Sequence, residues 1–184
     1  MEAQGFPEPA LPPWLDLPGR IASGLQLRLA RADDLPFLRE LYASSRAAEL
    51  ACMPWPEQAK RAFCDSQFDL QHRHYLSYTM PGAFTVVMRD DRAVGRLYLQ
   101  WTPTELHIVD ILLLPDAQGQ GIGSTLLRWL QSLLPQAGVA SLALQVLQHN
   151  TAAHQLYRRL GFQAREIHGM HVSMAWTPPN ASLS

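Results

Sequence analysis

The segment Gln118-Gly119-Gln120-Gly121-Ile122-Gly123-Ser124 sets glycines at three alternate positions, between an apolar run that stops at Pro115 and an amphipathic stretch. Glycine tolerates backbone conformations closed to other residues, so successive N–H groups there converge on one point, and a helix start adds partial positive charge. A diphosphate is the natural guest; a tight strand-to-helix turn without a ligand is the plainer alternative. Two common diphosphate sites fail on residue type. The dinucleotide fingerprint requires a glycine where Ser124 stands, with an acidic residue about 20 positions on, and residues 139–144 are uncharged. A nucleoside-triphosphate loop requires Gly-Lys-Ser/Thr, and Lys60 is the only lysine of the chain.

A second set follows in Asn150-x-x-Ala153-x-x-Leu156-Tyr157-x-x-x-Gly161-Phe162. Positions 150, 153 and 157 are three and four apart and share one stripe of a helix. Small Ala153 leaves room for a slender chain to pass between the Asn150 amide and the Tyr157 hydroxyl, while Leu156 and Leu160 point toward the sheet. Asn150 is equally suited to plain helix capping, and Tyr157 to an amphipathic core position.

The elements that must hold these residues can be read from periodicity. Residues 25–29 alternate as a half-buried strand, and Asp33 or Asp34 then offers an N-cap to a helix with Leu35, Leu38, Leu41 and Tyr42 as its stripe. A second helix is predicted over 57–75, reaching toward Ser77. Strands are predicted at 84–88, 94–101 and 105–114, and a helix at 124–134. A strand at 141–147, a helix capped by Asn150 and two closing strands near 162–167 and 171–176 complete the order β-α-α-β-β-β-α-β-α-β-β. The expected fold is α/β: a mixed central sheet of about seven strands flanked by about four helices. Residues 1–24 carry five of the fourteen prolines and read as an irregular arm, 25–177 as the domain and 178–184 as a tail.

Gln118-x-x-Gly121-x-Gly123 resembles the signature of the GCN5-related N-acetyltransferases, and the Asn150–Phe162 segment resembles that family's other acetyl-CoA motif, in the same element order. The resemblance covers roughly 25–177. It implies acetyl-CoA as co-substrate, with the amides of Gln118, Gly119, Gln120, Gly121, Ile122, Gly123 and Ser124 around its pyrophosphate and Asn150, Ala153 and Tyr157 along its arm. It implies that Leu112, Leu113 and Leu114 offer backbone groups to pantetheine, one of whose amide contacts can hold the oxyanion formed when an amine attacks the thioester. It also implies that Tyr157 protonates the departing thiolate, an aid of about 10–100-fold because thiolate already leaves readily.

The resemblance is less direct about the base. Some members carry a glutamate five positions before Asn150, where this chain has Gln145, which cannot titrate. Others carry a carboxylate eleven residues before the signature glutamine, a position that falls on His107; alternation puts Glu105 on the same strand face. Asp110 takes the opposite face unless the strand bulges, as family strands often do. Gln67, Gln71 and Tyr75, beside Phe63 and His74, form a stripe suited to an acceptor cleft, although Phe63, Phe68 and Leu70 mark the same helix as core. Arginines common beside the glycines are replaced by Gln118 and Gln120, and Arg128 lies a turn away.

Fifteen basic against sixteen acidic residues leave a formal charge of -1, which provides no field for nucleic acid or an anionic membrane. No apolar run approaches a membrane span, and the proline-studded start lacks a cationic leader. Cys52 and Cys64 form neither a zinc knuckle nor a disulfide framework, and His72 and His74 cannot share a helix face, so no metal is expected and a cytoplasmic setting is. The expected activity is acetyl transfer to a primary amine, on a small molecule or a peptide, by direct attack in a ternary complex. The alternative is a non-catalytic acyl-CoA-binding sensor or scaffold of the same fold. A homodimer is left open.

Overall fold

The computed structural model describes residues 5–17, 19–22 and 24–179. Eight strands form one sheet in the order β1-β2-β3-β4-β5-β6-β8-β7. These are β1 Gly19–Ala22, β2 Leu25–Leu29, β3 Gly82–Arg89, β4 Arg92–Trp101, β5 Glu105–Leu113, β6 Ser141–Leu147, β7 Gln163–His168 and β8 His171–Trp176. The helices are α1 Leu35–Ala51, α2 Glu57–Tyr78, α3 Ile122–Ala137 and α4 Thr151–Arg159. Neighbouring strands run antiparallel except β5 and β6, which are parallel and therefore joined by the crossover through α3.

The additional strand is β1. The stretch expected to be an irregular arm ends by pairing with β2, and Leu15 and Leu17 before it are buried in the core. Proline excludes central strands but tolerates an edge, and an edge is where β1 lies. Residues 1–4 of that arm, and the predicted tail from residue 180 onward, lie outside the described residues.

Helix α3 presents Ile122, Leu126, Leu127, Leu130 and Leu134 as one buried stripe. They pack on Leu97, Leu99, Leu106, Ile108, Leu142 and Leu144 of the central strands. Helices α1 and α2 pack Leu38, Leu41 and Phe68 on the opposite face, against Leu112 and Leu114. Leu70, read from sequence as core, is 52% exposed, because it lies on the side of α2 turned away from the Cys64–Phe68–His72 face that the helix buries.

Two features of β5 position everything that follows. Its pairing with β4 skips Val109: Leu99 faces Ile108, and Tyr98 faces Asp110. A bulge of this kind bends the strand and increases its twist. Beyond that point β5 stays with β4 as far as Leu113, while its pairing with β6 ends at Ile108 and Leu144. β6 itself continues to Leu147 against β8. The two central strands therefore part like the arms of a V.

The bulge also turns Asp110 onto the face of Arg96 and Tyr98. Arg96, only 2% exposed, donates from Nε to Asp110 Oδ2 at 2.6 Å and from Nη2 to Gln71 Oε1 at 2.7 Å. Its guanidinium lies 5.2 Å from the Tyr98 ring centroid and 5.9 Å from that of Tyr75. A buried guanidinium without its carboxylate is strongly unfavourable, so Asp110→Ala is expected to destabilise the fold by about 3–5 kcal/mol. The check is urea denaturation, read as a lowered midpoint with an unchanged slope.

Candidate functional site

The opening of the V is a passage through the sheet. A cavity of about 600 Å³ is lined by Gln71 and Tyr75 of α2 on one face, by Asn150 and Tyr157 on the other, and by the diverging strands between them. Among the described residues no helix or strand closes the gap from residue 109 on, so β5 edge groups face it. Alternation decides which ones. Leu114 donates its N–H to Val94 O, so the backbone polar groups of Ile111 and Leu113 turn toward the gap, while those of Leu112 face β4 opposite Arg96. Of the three leucines expected to offer backbone groups, Leu113 turns its own toward the gap, although its carbonyl accepts from Gln118; Leu112 and Leu114 contribute side chains to the α1–α2 packing instead. Ile111 takes the second edge position, which depends on the bulge and has no signal in composition.

The glycine turn sits where β5 ends. Gly119 and Gly121 have φ of +71° and +79°, in the left-handed region, and a Cβ on either would meet nothing within 4 Å. Glycine is thus required there by conformation, and the space above the turn is open. Gly121 caps α3, whose first N–H groups, Ile122, Gly123 and Ser124, have no acceptor within the helix. Buried Ile122 anchors the turn to the core. Gln118 donates from Nε2 to Leu113 O at 2.9 Å, fixing the turn to the strand end, and Gln120 donates to Asp116 O. Gly123 lies close to Leu156, which therefore packs between α3 and α4 rather than simply on the sheet. The turn has charged neighbours that the sequence did not announce. Arg89 donates to Gln120 Oε1, and Arg92 pairs with Asp116 at 2.8 Å, both from the β3–β4 hairpin 24–31 residues upstream.

Asn150 accepts from Ala153 N–H at 3.2 Å, so its oxygen caps α4 while the residue still lines the cavity. Tyr157 is 7% exposed, and burial, aided by the Asp110 charge, pushes its phenol up to about 12. It stays protonated through the neutral range, a phenol and not a phenolate. Burial likewise lowers His107 below the ordinary imidazole value, with Glu105 opposing weakly, so the ring is neutral at neutral pH.

Glu105 shares a strand face with His107 yet does not line the cavity. It accepts from Ser141 Oγ and pairs with Arg165, each at 3.0 Å, a position held by structure. Asp110 does line the cavity but is engaged by Arg96. Gln145, from the position where a glutamate was looked for, also borders it. From the α2 stripe Gln71, Tyr75 and His74 reach the cavity and Gln67 does not; Tyr78, Gln100 and His171 join them without having been anticipated. His171 and Gln100 come from strands whose registers place them there, and no local pattern marks them. Among the described residues no group of three or more His, Cys, Asp or Glu could hold a metal ion, and no helix is long and apolar enough to cross a membrane.

Comparison with known proteins bears on this arrangement. The model of the acetyltransferase (GNAT) family matches residues 36–162. A thialysine N-epsilon-acetyltransferase of Bos taurus is 35% identical over 75 residues, 40% of this chain and 44% of the relative. A ribosomal protein bS18 alanine N-acetyltransferase of Escherichia coli (strain K12) is 43% identical over 63 residues, 34% of this chain and 43% of the relative. The chain thus spans under half the length of these two relatives. Among solved structures, the PaiA N-acetyltransferase of Thermoplasma acidophilum in complex with coenzyme A superposes with a TM-score of 0.64 at 18% identity, covering 83% of this chain and 98% of that one. A likeness at that identity speaks for the fold.

Because the space above Gly121 is open, Gly121→Val is strained only through its backbone, by about 1–2 kcal/mol. We expect the variant to remain folded and to lose CoA affinity by at least about tenfold, read by calorimetry beside thermal melting. Unchanged affinity would remove the turn from the site.

Proposed function

The chain belongs to the GNAT acetyltransferase family, and from that premise we propose that it transfers an acetyl group from acetyl-CoA to a primary amine by direct attack in a ternary complex. The observation that carries this reading is the cavity where β5 and β6 part, with a neutral imidazole and a protonated phenol along it, together with the open glycine turn that follows the end of β5. The turn fits a pyrophosphate: two left-handed glycines keep side chains off it, and the start of α3 supplies free N–H groups. Ile111 and Leu113 give a pantetheine arm the strand edge that β6 has left, and Tyr157 stands where the thiol end would lie.

His107 takes up the amine proton, directly or through one water, as nitrogen bonds to the acetyl carbon. The carbon–sulfur bond breaks with its electron pair on sulfur, and the Tyr157 hydroxyl delivers the proton there. His107 is better suited than Glu105 or Asp110, since both carboxylates are held by arginines. Cys64 is buried and Cys52 exposed, and neither lines the cavity, so no acyl-enzyme step is part of the reading. Two unbridged thiols agree with a cytoplasmic setting.

Thiol release measured over a panel of amines tests the activity. Acetyl-CoA binding without release from any amine would favour the sensor reading instead. Tyr157→Phe is expected to lower kcat about 10–100-fold with CoA affinity nearly unchanged, and equal turnover would end the proton-donor role.

The pH dependence has a definite sign. A base acts when deprotonated, and burial holds the His107 pKa below the ordinary imidazole value, so kcat at saturating acceptor is retained at neutral pH and falls only as pH drops through that lowered pKa. Tyr157, raised to about 12, imposes no alkaline limb below about pH 11. His107→Gln is expected to lower kcat by about 10²-fold and to abolish the acidic limb; a limb that survives would assign it to another group.

A further inference from the structure

Gln71 of α2 lines the cavity with an amide whose orientation is imposed by a charge. An arginine has donors only, so the amide facing Arg96 Nη2 at 2.7 Å must present Oε1 to it. Arg96 is itself fixed, buried beneath the cavity, by Asp110 and by the Tyr75 and Tyr98 rings. The Gln71 Nε2 group therefore carries two N–H donors, makes no hydrogen bond among the described residues, and belongs to a residue that lines the same cavity as His107. Donors preset in this way require an acceptor oxygen from whatever fills the cavity, since desolvating them unpaired is unfavourable.

A carboxylate is a poor match. Asp110 lines the same wall, and the buried guanidinium beside it is already paired. A polycation is no better served, because the carboxylate that would attract it is the one Arg96 holds. A neutral carbonyl fits both constraints. Resting on the acetyltransferase reading above, we infer that Gln71 is a specificity-determining residue that donates to a neutral carbonyl close to the reacting amine, so that the preferred acceptor is an α-amino carboxamide, as at a peptide N-terminus. Arg96 and Asp110 act through Gln71 as positioning residues.

The experiment compares alaninamide with 3-methylbutan-2-amine, in which an isopropyl group replaces the carboxamide, on the wild type, Q71E and Q71M. Q71E keeps an acceptor for Arg96 and removes the donors; Q71M removes both, and either variant suffices if the other fails to fold. The expected result is a fall in kcat/KM for alaninamide of about 10–100-fold in the variants, with 3-methylbutan-2-amine within about threefold. The two amines differ in basicity, but that difference is common to all three proteins and cancels. Equal losses on both amines, or on neither, would overturn the inference.

A titration of the CoA-loaded protein with the same two amines, followed by NMR, reads Gln71 without any chemistry. Tighter alaninamide binding by the wild type but not by the variants, with no acetyl transfer, would overturn the catalytic reading and keep Gln71. Turnover without a Gln71-dependent preference, or equal affinities throughout, would overturn Gln71 alone.

Discussion

The parting of β5 from β6 is the constraint on which the molecule's chemistry depends. A sheet normally satisfies its backbone N–H and C=O groups across both edges of every interior strand, and leaving them open inside a domain is unfavourable. Here the pairing ends at Ile108 and Leu144, and the unpaired edge faces a cavity instead of apolar packing. Past the bulge at Val109, β5 stays paired with β4 as far as Leu113, while β6 stays paired with β8 as far as Leu147. The glycine turn and the start of α3 follow directly on the diverging end of β5, and α4 borders the cavity through Tyr157.

The second layer of control is electrostatic and lies beneath the cavity. Arg96 sits on an interior strand, where a charge is tolerated only if its donors are met. Asp110 meets them because the bulge rotates it onto that face, and Gln71 completes the arrangement from α2. One local irregularity in β5 thus opens the sheet and neutralises the charge under it. The ionisable groups left along the passage are then tuned mainly by burial: His107 toward neutral imidazole, Tyr157 toward a retained phenol. Base and acid forms coexist at neutral pH without direct pairing to each other.

The amphipathic pattern of α3 and the strand pattern of β6 made the element order legible, as local pattern generally does. The glycine turn and the Asn150–Tyr157 stripe were legible too, since both depend on backbone conformation and helical spacing within a dozen residues. The β1 edge strand was not, because proline content there reads as irregular and only β2 beside it completes the pairing. Leu112 and Leu114 were assigned to the strand edge because the one-residue bulge that sets their direction leaves no signal in composition. Arg96, Arg89 and His171 were missed for a related reason, as each acquires its role from a partner brought in by register or by a separate element.

The chain by itself thus determined which segments become helix or strand and where the glycine turn and the Asn150–Tyr157 stripe fall, because those properties follow from φ preference and from the periods of helix and strand. Only the tertiary structure decided which of His107, Glu105 and Asp110 is free of an arginine, which amides of β5 face the gap, and which way the Gln71 amide points. Those questions turn on desolvation and on hydrogen bonds between residues about 15 to 60 positions apart, and such contacts exist only after the sheet has assembled.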